Sequence, residues 1–160
     1  MVSCLKTVLS CVILLFSTFI QSQNLTRYFD LMEEGKLSEV RSDINLLLEQ
    51  FPNHSGVMFL AAQSQERAED AVMAYKKLIQ NHPNSKYADD AMIKVGEYLY
   101  ARGLYTQASA QLAKIPKAYP KSDHVQRAID LQINSLLAIG EKDSISTYIA
   151  SYQKEFPALD

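Results

Sequence analysis

Tryptophan is absent from this 160-residue chain, and glycine and proline number only five each. A turn-dense all-β sandwich needs more punctuation than that, so the scarcity argues against one. Cysteine occurs twice, as Cys4 and Cys11, both in the first 22 residues. A chain that loses those residues has no disulfide framework and no sulfur-based metal site. An excess of one charge is lacking too: 16 basic residues face 18 acidic ones, a net charge of −2. Nucleic-acid binding calls for a clustered basic face, and none is present. No two glycines lie within six residues of each other, which excludes a glycine-rich phosphate loop. No serine stands in a Gly-x-Ser-x-Gly context. His54, His82 and His124 have no His-Glu-x-x-His spacing and read as solvated turn residues. The acidic pairs Glu33-Glu34, Glu69-Asp70 and Asp89-Asp90 read as solvated helix termini. No catalytic residue, metal, cofactor or small-molecule substrate is therefore expected. What remains, 48% hydrophobic and 21% charged, suits one helical domain.

Residues 1–22 are set apart. Lys6 is their only charge, and it precedes an apolar run of fourteen residues from Thr7 to Ile20. That is the layout of a secretory signal, too short for a permanent bilayer span of ~20 residues. Cleavage is expected after Ser22, leaving 23–160 as an exported domain. If the segment is retained, it anchors the domain to the membrane.

The rest of the chain repeats. Pro52, Pro83, Pro120 and Pro157 close four similar segments at spacings of 31, 37 and 37 residues. Gly35, Gly103 and Gly140 each stand seventeen residues before the proline of their unit, and Glu66 takes that place in the second. Glycine turns one helix into the next, and proline stops the second. Between them run apolar residues at i, i+4, i+7: Val40, Ile44, Leu47; Ala71, Tyr75, Leu78; Ala108, Leu112, Ile115; and Ile145, Ile149, Tyr152. A two-helix unit cannot bury such a stripe alone, so its neighbours must stack on it. Pro116 falls inside a second helix and should bend it at Leu112.

These units resemble the tetratricopeptide repeat, a 34-residue helix–turn–helix. The strongest runs from Asp89 to Ser122, with Met92, Val95, Gly96 and Leu99 on the first helix. Ala108, Leu112 and Ile115 stand on its second helix, and Tyr105 just after the turn also fits. Small Gly96 and Ala108 let the paired helices approach closely. In the fourth unit Gln132 and Ile145 replace the expected apolar and small residues. The stretch from Asn81 to Tyr100 is similar to envelope repeat domains of Gram-negative bacteria, of the kind found in the Tol-Pal coordinator and the outer-membrane assembly lipoprotein.

The resemblance implies an all-α, right-handed solenoid of about four hairpins, periplasmic and non-catalytic. It also implies a concave groove on Asp90, Ile93, Glu97 and Tyr100, continued on Arg127, Asp130, Asn134 and Leu137. Tyr100 and Ile93 would supply apolar contact, and Glu97, Asp90 and Arg127 would orient a protein or peptide partner in the cell envelope. A structural role stays open beside this one: self-association through the uncovered Ile145, Ile149 and Tyr152 face, or membrane tethering. A cell-wall enzyme stands further back.

Overall fold

A computed structural model describes residues 25–158. The segment read as a secretory signal, with both cysteines, lies outside them. The described residues form helices and turns with no strand, and they divide into two compact units at Ser64–Gln65.

The first unit holds α1 (25–33), α2 (Leu37–Gln50) and α3 (Ser55–Gln63). Its core is one apolar cluster: Leu25, Tyr28 and Leu31 from α1, Val40, Ile44 and Leu47 from α2, and Val57, Leu60 and Ala61 from α3. Two polar ties surround it. Tyr28 donates to Asp43 Oδ2 at 2.9 Å, and Arg41 Nε donates to the Ser64 carbonyl at 2.6 Å. The second tie places a cation on a carbonyl at the end of α3, where the helix dipole favours positive charge.

The second unit holds α4 (Ala68–Asn81), α5 (Ala88–Ala101), α6 (Tyr105–Leu112), α7 (Lys114–Ala118), α8 (Val125–Ile139) and α9 (Lys142–Glu155). Here α5 packs between α4 and α6, and α8 lies chiefly on α6 while touching α5 and α7. By contrast α9 touches α8 at far fewer places than α6 touches α5.

The repeat is visible in the backbone. α2, α4, α7 and α9 each end one residue before a proline-preceding cap: Phe51, His82, Tyr119 and Phe156. All four caps share φ between −127° and −136° and ψ between 58° and 65°. Proline bars the residue before it from helical geometry, so the same dipeptide gives the same exit four times. Each cap N–H still reaches the carbonyl four residues back, at 2.7–2.8 Å. The first helix of a pair ends differently. Gly35, Gly103 and Gly140 take φ of 72–80°, the left-handed cap that other residues resist.

Pro116 does more than bend its helix. It splits it into α6 and α7 at Ala113, because the proline ring has no N–H for the Leu112 carbonyl and would crowd it. The apolar stripes follow the expected positions, with one adjustment. On α4 the buried set is Val72, Tyr75 and Leu78, and Ala71 is half-buried at its edge.

Candidate functional site

The eight residues expected to line a groove stand on α5 and α8, at equivalent positions 37 residues apart. Asp90 corresponds to Arg127, Ile93 to Asp130, Glu97 to Asn134 and Tyr100 to Leu137. The two helices meet through their charges. Arg127 Nε donates to Glu97 Oε1 at 2.5 Å, and the His124 ring lies 2.7 Å from Asp90 Oδ1. Lys94 adds a second cation on Glu97 at 3.2 Å. Burial raises the Glu97 pKa, but the hydrogen bonds and charges of Arg127 and Lys94 outweigh it and hold the carboxyl below its usual value.

Asp90, Glu97 and Arg127 thus satisfy one another and His124 within the chain, and they tie α8 to α5. Ile93 departs from the expected role altogether. At 1% exposure it belongs to the core. Tyr100 is half-buried, with its ring edge-on to Tyr105 at 5.4 Å and 67°. Leu137, at the same position one helix on, is 56% exposed. Glu97 precedes Tyr100 by three residues on α5, and its partner Arg127 lies near the start of α8. The two helices thus carry two apolar points one repeat apart, with the paired charges earlier on the same helices.

Asp130 and Asn134 stand on the same stripe of α8, between Arg127 and Leu137. Asp130 accepts from Gln126 at 2.9 Å, and both residues line a groove of about 550 Å³ between α8 and α9. Ile129, Ile133, Ile149, Tyr152 and Phe156 form its apolar wall.

The glycines serve the packing. A Cβ on Gly96 would meet Leu112 Cγ at 2.8 Å and one of its methyls closer still, so α5 and α6 touch where Gly96 has no side chain. Ala108, fully buried, is the small residue on the α6 side.

Two functional-looking contacts were not legible beforehand. His124 is a partner of Asp90 rather than a solvated turn residue, and only the α5–α8 register brings the two together. Gln132, fully buried, accepts from the Tyr152 hydroxyl at 2.5 Å. Burial pushes the Tyr152 pKa up to about 12, so the phenol stays protonated and able to donate. A glutamine in a core position was the signal for this pair. Among the described residues no group of three His, Cys, Asp or Glu side chains could hold a metal ion, and no helix is long and apolar enough to cross a membrane.

Residues 57–85, from α3 into α4 and the turn after it, and residues 90–122, from α5 through α7, match a protein family. That family is the tetratricopeptide repeat. The second match covers α5, α6 and α7 and begins one residue after the Asp89 start read from the residues. No curated protein matches the chain. Tetratricopeptide repeats in general stack into binding surfaces for other proteins.

Proposed function

We propose that this protein is a non-catalytic scaffold of the bacterial cell envelope that binds a segment of another protein on the surface shared by α5 and α8. One observation carries the reading. Tyr100 and Leu137 hold the same repeat position on adjacent first helices, and both leave apolar surface in solvent. An extended segment with apolar side chains spaced to reach both would bury them, while the Lys94–Glu97–Arg127 cluster sets its direction. The charged cluster is already ordered, so binding costs little side-chain entropy there.

The envelope setting rests on residues 1–22, whose Lys6 and apolar run have the layout of an export signal. A mature N-terminus at Gln23 in a periplasmic fraction is the expected product. The full-length mass in membranes would replace this with a tethered module.

The binding surface is tested by crosslinking from envelope extract, with the parent beside a Tyr100→Ala, Leu137→Ala double variant and a Leu46→Ala control. Melting curves establish that all three fold. Capture by parent and control, and loss by the double variant, is the expected result. Capture by all three would remove the α5–α8 surface from consideration.

A further inference from the structure

A trough on the second unit, separate from the surface shared by α5 and α8, has a charge opposite to that of the chain. It is an open groove of about 520 Å³ with α4 on one side, α6 and the start of α7 on the other, and α5 at its base. Met92 and Leu99 of α5 form the floor at 6% and 7% exposure, and Ile79 and Ala110 add apolar surface from the two walls. From Met92 to Leu99 is ~10 Å along the helix at ~1.5 Å per residue, the reach of about three extended residues.

The rim is basic. Lys76 of α4 and Lys114 at the start of α7 border the trough from opposite walls. Glu69 at the start of α4 meets Tyr98 near the end of α5, and Leu112 of α6 packs where Gly96 has no side chain. Both walls therefore run antiparallel to α5, which puts the two lysines toward the Met92 end. Neither has an ion-pair partner among the described residues, and Lys114 is steadied by donating to Gln111 at 3.3 Å. Acidic residues are kept away. α4 has none after Asp70, and α6 and α7 have none at all. Asp70 is paired with Arg67 at 3.7 Å, Glu69 accepts from Tyr98 at 3.4 Å, and Asp89, a turn before Met92, lies outside the lining. A chain of net charge −2 thus holds an apolar trough whose lining charges are both positive.

We propose that this trough binds an extended acidic segment of a partner protein, with two apolar side chains two residues apart on the floor and carboxylates at Lys76 and Lys114. Charge complementarity carries the choice of occupant. An acidic segment is repelled by the chain as a whole and attracted at this rim, so the attraction selects the place as well as the partner. A basic segment would be opposed by both lysines. The extended form follows from the walls. Gln80, Gln107 and Gln111 bring side-chain amides, which donate and accept, to the edges of the trough. An extended segment has backbone N–H and C=O groups free to pair with them, and its alternate side chains point to the floor. A helix satisfies its own backbone and would make no use of those amides.

The test uses the full chain and three fluorescein-labelled heptapeptides. One is Ser-Leu-Ser-Leu-Asp-Glu-Ser, the second has lysine for both acids, and the third keeps the acids and has serine for both leucines. Anisotropy reads affinity, and the isoleucine, leucine and methionine methyl resonances locate the unlabelled peptides. Saturable binding of the first peptide is expected, with shifts at Ile79, Met92 and Leu99, and about fivefold or more weaker binding of the other two. Lys76→Glu with Lys114→Glu, both exposed positions, should weaken the first peptide about tenfold or more without changing the melting temperature. Lys142→Glu with Lys154→Glu, exposed positions on α9 with the same change in net charge, should leave its affinity within about twofold. Absence of saturable shifts at those methyls, shifts confined to the Tyr100–Leu137 surface, equal weakening by the α9 variant, or equal affinity for the lysine peptide would overturn the proposal. So would phosphatidylglycerol vesicles that bind the parent through the same two lysines and displace the peptide, since a membrane surface would then be the occupant. A concentration-dependent dimer that the Lys76→Glu, Lys114→Glu variant dissociates would overturn it as well, in favour of a second copy of this chain.

Discussion

The third and fourth helix pairs share a register and differ in how they close. In the third, Gly96 and Ala108 are small where α5 meets α6, and Leu112 fills the space that Gly96 leaves. In the fourth, both small residues become isoleucines, Ile133 and Ile145, and α9 touches α8 sparsely. The apolar Val95 and Ile115 of the third pair are replaced by Gln132 and Tyr152, a hydrogen-bonded couple. One pair is closed by a leucine side chain set against a bare glycine, the other by bulkier side chains and one buried polar bond. A repeat motif therefore fixes where helices turn, while two or three side-chain volumes decide how tightly they shut.

The largest effects should come from deleting equivalent side chains in the two pairs. Leu112→Ala empties a fully buried site and should cost about 2–5 kcal/mol. Ile149→Ala removes a side chain that is already 40% exposed, and about 1 kcal/mol or less is expected. Urea unfolding of the two variants, read by circular dichroism, measures the difference. Equal losses would mean that the fourth pair is as closed as the third.

Next comes the same side chain placed at both equivalent positions. Gly96→Leu drives a branched side chain into Leu112 and should cost ~3 kcal/mol, whereas Ile133→Leu conserves volume and should stay within ~1.5 kcal/mol. Melting temperatures of the two variants decide this. A Gly96→Leu protein that melts with the parent would show that α5 and α6 do not rely on close approach.

What could be read in advance follows from how local each cause is. The four proline exits and the three glycine turns need only the conformational limits of two residue types, so their positions are written in the chain itself. The split at Ala113 is of the same kind, set by the ring of Pro116. Ile93 could not be read that way. Its spacing from Asp90 and Glu97 puts it on their stripe, and only the packing of neighbouring helices on α5 removes it from solvent. The same packing brings His124 to Asp90. Asp130 and Asn134 share the spacing of Arg127 and Leu137, yet they line the α8–α9 groove. Helix-to-helix offsets decided these three points, and no residue carries an offset alone.

The buried couple sharpens the comparison at smaller magnitude. Tyr152→Phe removes the donor to Gln132, and Gln132→Leu removes the acceptor. Each leaves a buried polar atom unpaired, at about 1–3 kcal/mol. The double variant recreates the apolar closure of the third pair and should cost less than the two single changes together. A double-mutant cycle by denaturant unfolding gives the coupling. Strict additivity would mean that the hydroxyl and the amide do not depend on each other.

The smallest effect belongs to the charges that join the two pairs. Arg127 and Lys94 hold the Glu97 pKa below the usual carboxylate value against the opposing push of burial. A depressed carboxylate contributes its stability above the unfolded-state pKa and loses it as pH falls through the folded one. Glu97→Gln should therefore cost most near pH 7, and the deficit should shrink through the acid range below the ordinary glutamate pKa. Arg127 is 62% exposed, so solvent screens the pair and about 0.2–1 kcal/mol is expected at neutral pH. High salt should erase part of it. Unfolding of parent and variant at pH 7 and pH 3 reads the difference directly. A deficit that stays constant across that range would show that the Glu97 side chain acts through packing.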